Sequence, residues 1–221
     1  MKGDNDIICK ESCGSSAGKG VKKNNISSAE DVYDFLCNHK SKNYIIQKRV
    51  VQHPFFNQFN PTSSNIIRII TWRHEGIISI LSASIRFGME GSFTDVAFVD
   101  GKEIVYVVGI DNDGYVKDRF VYFDGNCIKS PLITEKKVPS WEGLLDTVKN
   151  AHRDLIFFDF VAWDFMIDEK GNPICIEYNI NRPGTILYQF ANDPLAREYT
   201  NQFLDFLKDA PPSMIPLYFK K

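Results

Sequence analysis

The fold is decided by one stretch of sequence, Ala162-Trp-Asp-Phe-Met-Ile-Asp-Glu-Lys-Gly-Asn-Pro-Ile-Cys-Ile-Glu-Tyr-Asn179. It predicts a β-hairpin, because aromatic and aliphatic residues recur at alternate positions in Val161–Ile167 and again after Pro173. Between these two runs, Glu169-Lys-Gly-Asn172 has the composition of a tight turn. We therefore expect two antiparallel strands joined by a short turn.

The register of this hairpin predicts a metal site. If Asp168 pairs with Pro173, Asp164 lies opposite Glu177, and Asn179 shares the face of Glu177. Two carboxylates so close together on a half-buried sheet are costly unless a cation neutralises them. A few hard oxygen ligands with room for water and phosphate suit Mg²⁺. A solvated polar face of the hairpin is the alternative interpretation.

The surroundings of the hairpin favour burial. Trp163, Phe165, Ile176 and Tyr178 form its opposite face, so both strands are expected to be covered on both sides. Arg182, three residues after Asn179, adds a cation beside the carboxylates. It is either a ligand for an anion or a simple ion-pair partner of one of these carboxylates.

Composition excludes several classes of protein. The chain has 221 residues, of which 43% are hydrophobic, and a formal net charge of −2. This balance predicts a real core and provides no electrostatic basis for binding nucleic acid or an anionic membrane. We find no apolar run of about 20 residues, so no membrane insertion is expected. The five cysteines include no C-x-x-C pair, which favours reduced thiols in a cytoplasmic protein over a zinc site.

Two lobes are predicted along the chain. Residues 1–50 form a small β-loop-β-α-β unit, in which Ser28 caps a helix over Ala29–His39 and Tyr44–Val51 is the last strand. Residues 51–221 form a larger α+β lobe with a mainly antiparallel sheet. The segment between them is rich in Pro, Asn and Ser, as connections between lobes usually are.

A glycine-rich loop in the small lobe is a candidate phosphate-binding element. Gly14–Gly20 exposes backbone N–H groups that can approach a phosphate closely, and Lys10 lies on the strand before it. The loop is not a Walker A motif, because Cys13 stands where a glycine is required and Gly20 follows Lys19. A flexible surface turn is the alternative interpretation.

The larger lobe is predicted to contain two further hairpins and two helices. The strands are Ile66–Trp72 with Ile77–Arg86, and Glu103–Ile110 with Tyr115–Phe123. Ser140 is expected to cap the first helix. The final helix is expected at about Leu195–Leu207.

Several single residues have two interpretations. Arg68 shares a strand face with apolar residues, so an inward-pointing guanidinium is expected, either paired structurally or contacting a phosphate. His152 is expected to contact the end of its helix. Cys9 and Cys175 alternate inside strands and are expected in the core.

Taken together, these motifs resemble the ATP-grasp superfamily, and most closely its sugar-transfer associated group. The matching pieces are the Lys10 strand with its glycine loop, the strand Ile45-Ile-Gln-Lys48, and Gln52–Thr71. Asp164 with Glu177-Tyr-Asn179 completes the pattern, followed by Arg182-Pro-Gly184. The resemblance implies a fold that clamps ATP between two α+β lobes.

The resemblance also implies roles for individual residues. Those implied to contact ATP are Lys10, then Gly14, Ser15, Ser16, Gly18, Lys19 and Gly20 of the loop, and Ile46, Gln47 and Lys48 of the hinge strand. Asp164, Glu177 and Asn179 would hold Mg²⁺. Arg68 and Arg182 would be catalytic, stabilising phosphoryl or acyl-phosphate oxygens.

By the same resemblance, the expected activity is that of a carboxylate–amine ligase working through an acyl-phosphate, in the biosynthesis or modification of a cell-surface polysaccharide. Its partners would be ATP and an unidentified carboxylate and amine. A sugar or small-molecule kinase and a non-catalytic nucleotide-binding module are the alternatives. Members of the superfamily usually carry a domain before the lysine strand, so a preceding domain or a partner protein is expected.

Overall fold

The computed structural model describes residues 6–12, 21–25, 28–38, 43–180 and 184–209. The chain divides into two compact units, Met1–Val51 and Gln52–Lys221. The loop Gly14–Gly20 and Arg182, both singled out from the sequence, lie outside the described residues.

The described residues of the first unit form a three-stranded antiparallel sheet and one helix. Its elements are β1 (Asp6–Glu11), β2 (Lys22–Asn25), α1 (Ala29–Asn38) and β3 (Tyr44–Lys48), with the strands in the order β2-β1-β3. The predicted cap is confirmed, since Ser28 Oγ accepts a hydrogen bond of 3.1 Å from the Asp31 N–H. The Asp31 carboxylate in turn accepts one of 2.9 Å from the Ser28 N–H, which satisfies a second free donor at the helix start.

The second unit is built on a six-stranded sheet in the order β11-β10-β4-β5-β8-β9, in which every neighbouring pair is antiparallel. Its strands are β4 (Ile66–His74), β5 (Ile77–Phe87), β8 (Tyr106–Ile110), β9 (Val116–Tyr122), β10 (Phe160–Ile167) and β11 (Pro173–Asn179). A separate two-stranded ribbon consists of β6 (Ala97–Val99) and β7 (Lys102–Ile104). The predicted α+β class with a mainly antiparallel sheet is confirmed.

Among the described residues of this unit, three α-helices accompany the sheet, namely α2 (Trp141–Asp154), α3 (Thr185–Ala191) and α4 (Thr200–Asp209). On one sheet face, alternate residues such as Ile67, Ile85 and Trp163 join buried side chains of α2 in the main apolar core. Burial of this continuous apolar face is what holds the sheet and α2 together. Among the described helices, none is long and apolar enough to cross a membrane.

Several predicted elements differ from the structure. The strand predicted over Tyr44–Val51 ends at Lys48. Ser140 precedes α2 in a left-handed backbone conformation and makes no side-chain capping bond. The last helix begins at Thr200, after a 3₁₀ turn at Arg197–Tyr199, rather than at Leu195. The strand predicted over Glu103–Ile110 is interrupted at Val105, where β7 ends and β8 begins. Helix α3 was not predicted at all, because seven residues are too few to show a helical period clearly.

Candidate functional site

The hairpin places its two acidic residues opposite each other. Asp164 pairs with Glu177, and Asn179 follows on the same strand opposite Ala162. The pairing predicted next to the turn is wrong, because Pro173 pairs with Ile167 and not with Asp168. A β-bulge between Asp164 and Phe165 adds one residue on β11 and restores the predicted pairing of the carboxylates.

The two strands of the hairpin differ in burial. Every residue of β10 is buried, whereas β11 is the edge strand and exposes Cys175, Glu177 and Tyr178. The expectation that both strands are covered is therefore wrong for β11, and so is the core position predicted for Cys175. Cys9, by contrast, is fully buried, as predicted. Glu177 consequently has access to solvent while its partner Asp164 has almost none.

Asp164 is held by a guanidinium from the neighbouring strand. Arg68 on β4 is the cross-strand partner of Asp164, and its side chain is only 7% exposed, against 2% for that of Asp164. Arg68 donates from Nε to Oδ1 and from Nη2 to Oδ2, the second bond being 2.7 Å long. This two-point contact is the strong geometry for an arginine and a carboxylate. The inward-pointing arginine is confirmed, and its contact with a phosphate stays a prediction.

A second guanidinium completes a buried network that the sequence interpretation missed. Arg86 on β5 donates to Asp164 Oδ2 at 3.4 Å and lies 2.5 Å from Asp95 Oδ2. Its Nη1 also donates to the Tyr188 hydroxyl at 3.1 Å. The Tyr188 ring lies 5.4 Å from the Arg68 guanidinium, within the range of a cation–π contact. Two arginines, two aspartates and a tyrosine thus meet on one face of the sheet.

One signal in the sequence could have revealed Arg86. Ser82, Ser84 and Arg86 occupy alternate positions of β5, so a strict period-2 analysis places the arginine on the polar face. Tyr188 had no such signal, because it comes from the unpredicted helix α3. That helix approaches the sheet closely at Gly109, where a Cβ would lie 2.3 Å from Asn192 Oδ1. A glycine at this position is what allows α3 to reach the site.

The charges of this network shift its pKa values in opposite directions. Burial opposes the ionisation of Asp164, but the positive charges of Arg68 and Arg86 outweigh it and lower the pKa of Asp164. For Asp95, burial outweighs the attraction of Arg86, and the pKa is raised. Burial disfavours the charged form of both arginines, yet the nearby carboxylates raise the pKa of each, that of Arg86 strongly. Both guanidiniums therefore remain charged.

The donor set around Asp164 fits a magnesium ion. The carboxylate of Asp164 accepts from two arginines and still has lone pairs to offer, because an ionised carboxylate has about four acceptor positions. Glu177 is the cross-strand partner of Asp164, so the two carboxylates project from the same face of the hairpin. Asn179 Nδ2 is buried and has no hydrogen-bond partner among the described residues. Its amide can therefore turn toward a ligand without breaking a contact that the structure shows.

The fit involves two acidic residues and one amide, and not a larger acidic cluster. Within the described part of the chain, no three His, Cys, Asp or Glu side chains are grouped as a metal site of those residues alone would require. Few protein ligands with several water or phosphate oxygens are what magnesium prefers, since it gives up its hydration shell reluctantly. The geometry thus suits a metal that arrives with a phosphate.

Four of the predicted nucleotide-binding residues, Lys10, Ile46, Gln47 and Lys48, belong to the described part of the first unit and lie on adjacent strands. Lys10 on β1 pairs with Ile45, and the preceding residues of β1 pair with Ile46, Gln47 and Lys48 of β3. The side chains of these three β3 residues are exposed. The structure therefore places them on one small sheet, and their contacts with ATP stay predictions.

His152 does not contact the helix end as predicted. It is fully buried, and its ring nitrogens lie 2.7 Å from Thr71 Oγ1 and 2.9 Å from the carbonyl oxygen of Phe158. Trp163 Nε1 donates to the same Thr71 hydroxyl at 2.8 Å. Burial, partly opposed by the Phe158 carbonyl, lowers the pKa of His152. This histidine is a neutral structural link between α2, β4 and β10.

A cavity of about 1050 Å³ lies elsewhere in the second unit, lined by Phe87, Tyr106 and Phe120 among others. Phe87 follows Arg86 on β5, so its side chain points to the opposite face of the sheet. The cavity is therefore not part of the network around Asp164.

The sequence of the chain matches one family model. The model described as sugar-transfer associated ATP-grasp matches residues 15–204, which include β4, β5, β10, β11 and α3. No curated protein matches the chain.

Several solved structures are similar to the chain at low identity. D-alanyl-alanine synthetase A from Vibrio cholerae is 14% identical, with 92% of this chain and 52% of that one covered and a TM-score of 0.48. Carboxyaminoimidazole ribonucleotide synthase from Aspergillus clavatus, complexed with ATP, is 12% identical. The match covers 89% of this chain and 41% of that one, with a TM-score of 0.44. N5-carboxyaminoimidazole synthetase from Staphylococcus aureus, complexed with ADP, is 10% identical. The match covers 78% of this chain and 34% of that one, with a TM-score of 0.42. The chain thus spans between a third and about half of these proteins.

Proposed function

Because the chain belongs to the sugar-transfer associated ATP-grasp family, we propose that it is a Mg–ATP-dependent ligase that joins a carboxylate to an amine. The observation that supports this most directly is the pairing of Asp164 with Glu177 beside two buried guanidiniums. Such an arrangement suits a reaction in which phosphate charge must be neutralised and held in place. The role in cell-surface polysaccharide biosynthesis follows only from the family description.

Asp164, Glu177 and Asn179 would hold the magnesium ion. When bound, the ion supplies positive charge to the phosphates of ATP. Asp164 is buried and contacts Arg68 at two points, whereas Glu177 lies on the exposed edge strand, where solvent and an incoming ligand can reach it. One buried and one solvent-accessible carboxylate suit an ion that enters together with its nucleotide.

The chain's own residues then position the reactants. In this proposal, the residues that would bind ATP are Lys10, the glycine loop and the backbone of Ile46–Lys48. Arg68 and Arg182 would stabilise the oxygens of the transferred group. The substrate carboxylate attacks the γ-phosphorus, and ADP leaves. The amine nitrogen then attacks the carbonyl carbon of the acyl-phosphate, phosphate leaves, and the nitrogen loses a proton to give the amide. No nucleophile of the protein is needed, so catalysis is positioning and charge neutralisation.

Isothermal titration of the full chain with ATP, with and without Mg²⁺, tests the proposal. We expect binding that depends on the metal. Glu177→Gln should weaken Mg–ATP binding about tenfold or more, the loss of roughly 1.4 kcal/mol expected when one charged ligand is neutralised. Glu169→Gln, an exposed residue in the turn of the same hairpin, is the matched control and should bind like the parent.

The outcomes separate the possible functions. A folded parent chain that binds no Mg–ATP would refute the proposal. Tight binding of Mg–ATP by Glu177→Gln would show that the metal ligands are assigned wrongly. Among binding-competent outcomes, an amide product identified by mass spectrometry supports a ligase, and a phosphorylated product would instead identify a kinase.

A further inference from the structure

Arg86 is held by two carboxylates, of which only Asp164 belongs to the proposed metal site. It lies 2.5 Å from Asp95 Oδ2 and 3.4 Å from Asp164 Oδ2. The side chains of Arg86 and Asp95 are each 14% exposed, so their ion pair is only weakly screened by water. A cation at Asp164 would compete with the guanidiniums for its oxygens, whereas Asp95 would keep its contact with Arg86.

The position of Asp95 depends on a loop that is fixed by many hydrogen bonds. After β5, residues 88–96 lie against the segment 60–64. The Asn60 amide donates to the carbonyl oxygens of Gly88 and Met89, both at 2.7 Å. The Gly91 N–H donates to Thr62 Oγ1 at 3.0 Å, and the Ser64 N–H donates to the Phe93 carbonyl at 2.9 Å. The loop is thus built to present Asp95 at one place.

The start of this loop also requires a glycine. A Cβ at Gly88 would lie 2.3 Å from the Thr94 carbonyl oxygen, which no side chain can tolerate without a shift of backbone. This close contact folds the loop back on itself, so that Asp95 returns to Arg86 nine residues earlier in the chain. The glycine at position 88 and the hydrogen bonds of the loop therefore both help to fix the position of the Asp95 carboxylate.

Arg86 has one donor to spare. Its Nη1 and Nη2 groups contact Tyr188, Asp164 and Asp95, but its Nε is buried and has no partner among the described residues. A buried guanidinium with a free donor is a good ligand for an anionic oxygen. Phosphoryl transfer depends on positive charges that neutralise the transferred group, so an arginine beside the candidate metal ligand Asp164 would be well placed for the terminal phosphate.

We propose that Asp95 is a positioning residue that holds Arg86 toward the terminal phosphate of Mg–ATP when the metal occupies Asp164. This rests on the proposed function. Asp95 acts through Arg86 and touches no substrate itself. It is the counter-ion that keeps the arginine in place when Asp164 is shared with the metal, so its loss affects nucleotides that have a γ-phosphate.

The test compares Mg–ATP with Mg–ADP by isothermal titration of the parent chain, Asp95→Asn and Asp95→Glu. We expect Asp95→Asn to weaken Mg–ATP about tenfold and Mg–ADP less than about threefold, because the terminal phosphate carries the difference. Asp95→Glu should recover most of the loss. Asp118→Asn, which removes an exposed carboxylate paired with Lys136, is the matched control and should change neither affinity.

The result that would overturn the proposal is an unchanged preference for ATP over ADP in Asp95→Asn. If that variant does not fold by circular dichroism, Arg86→Lys tests the same point, because lysine keeps the charge but loses the fixed fork that joins Asp95 and Tyr188. It should show the same selective loss for ATP, and an equal loss for both nucleotides would refute the proposal. A parent that binds neither nucleotide refutes the proposed function together with this inference.

Discussion

The two strands that carry the candidate metal ligands, β10 and β11, differ in what surrounds them. They are joined by a short turn and pair along their length, yet β10 is buried at every position and β11 is exposed at Cys175, Glu177 and Tyr178. The difference arises because β10 lies between β11 and β4, whereas β11 is the edge of the sheet. Sheet position, and not local sequence, separates them.

This difference has a chemical consequence. A carboxylate on the buried strand must be neutralised even without a metal, and Arg68 and Arg86 do this for Asp164. A carboxylate on the edge strand can be hydrated, so Glu177 is available to a ligand at lower cost. Substitutions of β10 should therefore affect folding, and substitutions of β11 should affect binding.

The largest effect is expected at the register pair Phe165 and Cys175. Phe165→Ala removes a fully buried ring from the core and should reduce the free energy of unfolding by about 3–5 kcal/mol. Cys175→Ala on the exposed strand should change it by less than about 0.5 kcal/mol. Urea denaturation of both variants measures the contrast, and similar losses at the two positions would contradict the burial difference.

A similar contrast is expected at the pair Asp164 and Glu177. Asp164→Asn leaves two buried guanidiniums without their shared counter-ion and should destabilise the chain by about 3 kcal/mol or more. Glu177→Gln should cost less than about 0.5 kcal/mol. Chemical denaturation of both variants gives the comparison, and a stable Asp164→Asn would show that the ion pair is dispensable for folding.

The destabilisation caused by Asp164→Asn should depend on pH, because the pKa of Asp164 is lowered in the folded chain. A carboxyl with a lowered pKa in the folded state contributes stability at every pH above its unfolded value, about 3.9. This contribution to stability is lost as the pH falls through the pKa of Asp164 in the folded state. The gap between the parent and Asp164→Asn should therefore stay constant from neutral pH to about pH 4 and shrink only below it.

A smaller effect is expected at His152, which links α2 to β4 and β10. His152→Gln should cost about 1–3 kcal/mol, because Thr71 and the Phe158 carbonyl lose a well-placed partner. The lowered pKa of His152 means that the unfolded chain binds its proton more readily. The parent should therefore lose stability as the pH falls through about 6.5. Denaturation of the parent and the variant between about pH 7.5 and 5.5 checks this, and an equal pH dependence in both would assign it to another group.

The hairpin and the facing of its two carboxylates were predictable because they depend on local rules. Alternation and turn composition specify two antiparallel strands, and the facing of Asp164 and Glu177 follows from counting residues. The bulge was not visible in the sequence, although it decides which residues face each other near the turn. The predicted pairing was right because the bulge compensates for a one-residue error at the turn.

The rest of the network could not be predicted in the same way. Asp95 reaches Arg86 only because a hydrogen-bonded loop folds back on the sheet, and Tyr188 arrives on a short helix. No periodic pattern or fixed spacing of residues in the sequence predicts either contact. Arg86 itself had a local signal, the alternation with Ser82 and Ser84, but no local rule identifies its partners.

By itself, the sequence determined the α+β class, the family to which the chain belongs and the pairing of Asp164 with Glu177. Each of these follows from the order and spacing of residues, which alternation and turn chemistry convert into structure. Only the tertiary structure decided that Asp164 is buried between two arginines while Glu177 is exposed. Burial and charge pairing depend on which strands and helices become neighbours, and these neighbours come from parts of the chain far apart in sequence.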